Sequence, residues 1–157
     1  MNRSYQQIRL VKNVVNGIWS IQLNRPDRLN ALSEQMGEEL ISVFNQCNEE
    51  DSCCRGLLIH GGEDARAFSS GRDLKLSKAH TDEEARRYLD IAIESVLALY
   101  RVQVPTCAAI DGHCIGWGLE LAMAADIRFV GPTARLRLPE TSLGLFPGAG
   151  KKRVFFL

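Results

Sequence analysis

The stretch that most constrains this chain is 105–127, "PTCAAIDGHCIGWGLELAMAADI". A short apolar, strand-like run enters a turn marked by Gly112, Gly116 and Gly118, and a helix-like run begins at about Trp117. Leu119, Leu121, Ala122, Met123, Ala124 and Ala125 leave that helix apolar on every side. Such a helix is normally buried all round, so the chain must supply packing layers on more than one face of it. Glu120 breaks the pattern. A buried carboxylate costs several kcal/mol unless it is paired, sits at a helix N-terminus or has chemical work to do. An acid in the first turn also complements the helix dipole, for about 0.3 to 1 kcal/mol on an exposed helix. From this segment alone, dipole and chemistry explain Glu120 equally well.

The rest of the chain reads as strands alternating with helices, the pattern of an α/β fold. Residues 7–24 suit a β-hairpin, with Asn16-Gly17 offering the positive φ angles of a tight turn. Ser33 is a plausible N-cap for a helix whose Met36, Leu40, Val43, Phe44 and Cys47 keep helical spacing. "GLLIHGG" suits a strand buried on both faces, and the polar loop "EDARAFSSGRDL" follows it. Thr81 and Glu84 form a capping box that opens a long helix to about Tyr100. Beyond the apolar helix, "IRFV" and "RLRL" flank Gly131-Pro132 and read as a β-hairpin leading to "PETSLGLFPGAG".

With 157 residues the chain is long enough for one domain with a real core. Residues 1–150 read as that domain and 151–157, "KKRVFFL", as a divergent tail. Nineteen basic residues balance nineteen acidic ones, so no large field invites nucleic acid or an anionic membrane. The five cysteines lie mostly in apolar runs and read as reduced, buried hydrophobes, while three scattered histidines argue against a metal site. No apolar run approaches the roughly 20 residues of a membrane span, and no signal-peptide layout opens the chain. The expectation is a soluble intracellular protein, mitochondrial or cytoplasmic.

Three catalytic motifs compete for the glycine-rich segments. Gly112-His113-Cys114-Ile115-Gly116 has the form of a nucleophile elbow with cysteine, but no histidine follows His113 to complete a triad. "PGAGKK" lacks the residues of a phosphate-binding Walker loop, and "GHCIGWG" lacks dinucleotide-binding spacing. Glu140, in "LPETSLGLFPG", offers a second acid. Two acids in apolar, glycine-bearing settings can divide acid and base roles over one pocket, although a surface acid starting a short turn explains Glu140 more simply.

"LNRPDRLNAL", "AFSSGRDL", the 105–127 stretch and "LPETSLGLFPGAG" occur in the order, and close to the spacing, of blocks that mark the crotonase superfamily of enoyl-CoA hydratases and isomerases. The chain resembles that family from about Gly17 to Gly150. The resemblance implies a spiral of ββα units that binds acyl-CoA thioesters, here lacking the usual C-terminal helical segment. It implies two backbone N–H donors for the thioester oxygen, Arg72 and Trp117, and two catalytic acids, Glu120 and Glu140. It places CoA along Arg28, Leu29, Ala31, Ala67, Ser69, Arg72 and Asp73, with Leu74 at the acyl entrance. Ile115, Gly118, Pro139, Leu143 and Gly144 line the acyl pocket. The reaction implied is hydration of the C2–C3 double bond, with isomerisation through Glu140 as the alternative. A truncated, non-catalytic CoA-binding remnant is the reading from another class. No cofactor or metal is implied, since acyl-CoA is the substrate, and relatives of full length assemble as homo-oligomers, trimers or hexamers. Where the family normally carries glycine this chain has Trp117, whose indole is expected to reshape the acyl pocket.

Overall fold

In the computed structural model, residues 4–63, 65–73 and 81–143 are described. β1 (Ile8–Lys12) and β2 (Ile18–Leu23) pair antiparallel, with Ile8 opposite Leu23 and Lys12 opposite Trp19. Alternation along β2 turns Trp19, Ile21 and Leu23 inward. The connection is wider than the Asn16-Gly17 pair predicts. Residues 13–17 form it, with the Gly17 N–H donating to the Asn13 carbonyl at 2.8 Å. Gly17 alone takes the left-handed conformation, at φ 75°, while the Asn16 side chain accepts from the Ile18 N–H at 2.9 Å.

A repeating unit follows, in which a strand of one sheet leads to a strand of a second sheet and then to a helical turn or helix. β3 (Gly56–His60) and β4 (Ala67–Ser69) precede the helix Asp82–Tyr100. β5 (Thr106–Ile110) and β6 (His113–Ile115) precede the helix Trp117–Ala124. β7 (Ile127–Val130) and β8 (Arg135–Arg137) precede a 3₁₀ turn, Glu140–Leu143. The larger sheet has the order β1-β2-β3-β5-β7 and the smaller one β4-β6-β8, parallel throughout except for β1 against β2. This is the crotonase-like α/β spiral.

The expected hairpin at 127–137 is corrected by this topology. β7 pairs with β5, Cys107 opposite Ile127, and β8 pairs with β6, His113 opposite Arg135. The chain steps from one sheet to the other at Gly131-Pro132, because the preceding unit already presents partners: Gly131 N–H donates to Ile110 and Arg135 N–H to Gly112.

The helices, labelled in chain order, are α1 (Glu34–Cys47), α2 (Asp82–Tyr100) and α3 (Trp117–Ala124). The Ser33 hydroxyl caps α1 by accepting from Met36 N–H, and Thr81 with Glu84 completes the capping box of α2. Met36, Leu40, Val43 and Phe44 of α1 meet Val96 and Leu99 of α2 and the β2–β3 face in one core. Every residue of α3 except Met123 is buried, as an all-apolar helix requires. Cys47, Cys54 and Cys114 are buried free thiols, but Cys53 is exposed, against the sequence expectation.

Candidate active site

The loop before α1 is held by one asparagine. Leu29 and Asn30 both take φ 51°, a conformation that suits asparagine and strains leucine. Asn30 is fully buried, accepts from Arg25 N–H at 2.9 Å, and donates to the carbonyls of Gly61 and Ala67 at 3.0 Å each. Its own carbonyl accepts the Ser69 hydroxyl at 2.8 Å. Arg28 stays exposed beside Asp27, and Ala31 is buried.

The second loop leaves β4. Gly71 at φ 87° turns the chain so that Arg72 forms an isolated parallel bridge with Leu32. Leu32 N–H donates to Gly71 at 2.8 Å and Asp73 N–H to Leu32 at 3.2 Å. That pattern turns the N–H of Arg72 away from Leu32, and among the described residues no acceptor takes it. The Asp73 carboxylate pairs with Arg25 at 3.0 Å, both side chains nearly buried. Ser69 and Asp73 therefore spend their side chains on holding the two loops together. Ala67 is buried on β4.

The third segment turns at Gly116, φ 51°, which opens α3. A Cβ on Gly71 would lie 2.6 Å from the Ile115 carbonyl oxygen, and one on Gly118 would lie 2.6 Å from the Cβ of Ser69. Glycine at 71 and 118 thus brings the Arg72 loop and the start of α3 into backbone contact. Trp117 N–H, at the first helical position, has no acceptor among the described residues.

The Trp117 side chain packs between α1 and α2. It is 4% exposed, its Nε1 donates to the Ser95 hydroxyl at 3.1 Å, and its ring meets that of Tyr88 edge-on at 5.5 Å and 75°. A Cβ on Gly37 of α1 would lie 3.2 Å from the indole, so a missing side chain makes the space it fills. Helical φ suffices at Trp117, because the left-handed angle falls on Gly116.

Gly116 opens the helix that carries Glu120, and the Glu140 side chain reaches it. Glu120 is 3% exposed, one turn into α3, and its N–H donates to the Gly116 carbonyl at 2.9 Å. Gly116 N–H donates to Arg137 of β8 at 2.9 Å, and β8 leads into the turn that starts with Glu140. Oε1 of Glu140 lies 2.8 Å from where a Cβ on Gly116 would stand. Oε2 of Glu140 is buried without a hydrogen-bond partner among the described residues. Ile115 and Pro139 are half-buried beside these acids in sequence, and Leu143 ends the 3₁₀ turn. Leu74 and Gly144 lie outside the described residues.

Cys114 is fully buried in β6, and burial pushes its thiol up to about 12, which removes the elbow nucleophile. Sequence reasoning missed Arg25, Asn30, Tyr88 and Ser95. Only Asn30 carried a signal, as a polar residue inside "RLNAL" with the left-handed preference of asparagine.

The sequence model described as Enoyl-CoA hydratase/isomerase matches residues 13–156. A probable enoyl-CoA hydratase of Bacillus subtilis is 39% identical over 127 residues, covering 80% of this chain and 48% of that protein. The mitochondrial enoyl-CoA hydratase domain-containing protein 2 of Mus musculus is 35% identical over 144 residues, covering 92% and 48%. The crystal structure of an enoyl-CoA hydratase from Bacillus anthracis matches with a TM-score of 0.87 and 32% identity, over 95% of this chain and 57% of that one. This chain spans about half the length of the curated relatives it matches. With the family match covering nearly all of it and the double-sheet spiral in place, the chain belongs to the enoyl-CoA hydratase/isomerase family.

Proposed function

We propose that this chain carries the site for adding water across the C2–C3 double bond of an enoyl-CoA thioester. The observation that carries the reading is Glu140, which stands beside Gly116 at the start of the helix that bears the buried Glu120 and has a buried oxygen with no hydrogen-bond partner among the described residues. Glu120 and Glu140 hold one water against the double bond. One carboxylate takes a proton from the water as its oxygen bonds to C3, and the other acid, protonated, delivers a proton to C2. The negative charge that develops on the thioester oxygen is met by the N–H groups of Arg72 and Trp117. One such preorganised donor is worth about 3 to 4 kcal/mol of barrier, and the second stands at a helix N-terminus, where the dipole favours an anion. CoA runs past Arg28, Leu29 and Ala31 along β4, and the functional assembly is a homo-oligomer.

Isothermal calorimetry with a non-hydrolysable acyl-CoA, beside a crotonyl-CoA hydration assay, tests this. Glu120→Gln and Glu140→Gln should each lower kcat by about 10²- to 10⁴-fold and leave binding nearly unchanged. Binding without turnover in the native chain defeats the hydratase reading in favour of a CoA-binding one. Because the partnerless oxygen belongs to Glu140, double-bond isomerisation through that acid is the second reading. Isomerase activity that survives Glu120→Gln and vanishes in Glu140→Gln selects it.

A further inference from the structure

Tyr88, on the buried face of α2, touches both segments that carry the proposed oxyanion donors. Its hydroxyl donates to the Leu32 carbonyl and accepts from the Asp73 N–H at 3.2 Å, so it grips the bridge that displays Arg72. The same ring lies under the Arg72 guanidinium, 4.4 Å from its centroid, and receives the Trp117 indole at 5.5 Å. Two turns further along α2, Ser95 accepts the Trp117 Nε1–H, while its own hydroxyl donates to Ala92 at 2.8 Å. Residues 88 and 95 share one face of a helix by their spacing. Tyr88 is thus a common neighbour of Arg72 and Trp117.

We propose that Tyr88 and Ser95 are positioning residues: one face of α2 sets the separation and direction of the Arg72 and Trp117 N–H groups. The inference rests on the reading that those N–H groups bind the thioester oxygen. A two-donor site works only when both donors reach about 2.7 to 3.1 Å from one oxygen, and here the donors come from different loops. Tyr88 is anchored to each of them, so displacement of either loop is resisted through the same ring. A purely space-filling tyrosine needs no bonds on both sides of Arg72.

Amide hydrogen exchange of the ligand-free chain tests the clamp without any substrate. Tyr88→Phe keeps the ring and removes the hydroxyl, and should speed exchange across 71–73 by about tenfold while leaving α1 unchanged. Ser95→Ala should speed exchange of the Trp117 indole N–H, which Ser95 accepts, and spare Arg72, and it tests the same helix face should Tyr88→Phe fold poorly. Unchanged exchange at these sites overturns the proposal. With ¹³C-carbonyl butyryl-CoA, the infrared shift of the bound carbonyl should shrink in Tyr88→Phe. In the hydration assay kcat should fall roughly tenfold with KM within about twofold. A rise in KM at constant kcat overturns the positioning role. Altered exchange together with no carbonyl shift in the native chain upholds the clamp and sinks the thioester reading on which its catalytic part stands.

Discussion

Trp117 shows how one side chain can change its role without changing its backbone. The N–H at this position needs only a helix start, so the side chain is free to go elsewhere, and it packs among Gly37, Tyr88 and Ser95. Removing it should be costly even though the family resemblance points to glycine at this place. Trp117→Gly is expected to lose about 3 to 5 kcal/mol from the cavity and the lost packing, read from urea unfolding midpoints. Gly37→Ala carries the opposite intuition. Alanine gains nearly 1 kcal/mol of helix propensity over glycine, yet its Cβ would stand 2.5 Å from Cγ2 of Ile91 and 3.2 Å from the indole. The melting temperature should therefore fall, and the loss should shrink when Trp117 is also glycine, since the two positions share one space. A rise in melting temperature for Gly37→Ala on its own defeats this account. The sequence made Glu120 and Glu140 visible as acids in apolar, glycine-bearing settings. It could not show where the indole points, because that depends on a glycine in α1 and a serine in α2.

Elements with local chemical signals were legible, and elements defined by distant partners were not. Ser33 and the Thr81–Glu84 box mark helix starts because a cap bonds within three residues of itself. β7 and β8 look like hairpin arms because Gly131-Pro132 is a turn signal, but β5 and β6 decide their pairing. The same distant pairing sets a pH response in β3. His60 Nε2 bonds the Ser20 hydroxyl on the neighbouring β2 at 3.0 Å, and Nδ1 accepts from Gly62 N–H at 3.2 Å. Accepting at Nδ1 fixes the neutral ring, with its proton on Nε2. Burial lowers the His60 pKa below its ordinary 6.5, against a smaller opposing pull from Glu63. The unfolded chain then binds the proton more readily, so stability is complete above about pH 6.5 and declines as pH falls below it toward the folded value. His60→Gln should flatten that part of the stability profile between pH 7.5 and 5.5. The difference from the native chain has a ceiling of about 1.4 kcal/mol per pH unit, the limit for one proton. Parallel profiles for the two proteins remove His60 as the cause.

At the scale of the whole molecule, both sheets end on the last repeat, and there the burial changes. Among the described residues β7 closes the larger sheet and β8 the smaller, and every residue of both strands is exposed. Phe129 is 66% exposed, with Ile127, Val130 and Leu136 about half exposed. A sheet edge offers unpaired backbone groups, and apolar side chains beside it add a driving force for association. Burying one side chain of this size contributes about 1.5 to 3 kcal/mol. This surface should therefore drive association of the chain with further copies of itself, seen as a weight-average mass that rises with concentration in sedimentation velocity. Phe129→Lys places a charge on the edge and removes the largest apolar side chain, so it should weaken association by tenfold or more, given that about 1.4 kcal/mol is a factor of ten. Gly116 bonds to Arg137 of β8 and not to β7, so the variant should keep the acyl-CoA affinity proposed for the native chain. A native chain that stays monomeric as concentration rises, or a Phe129→Lys variant that associates as the native chain does, would show that β7 is not the contact.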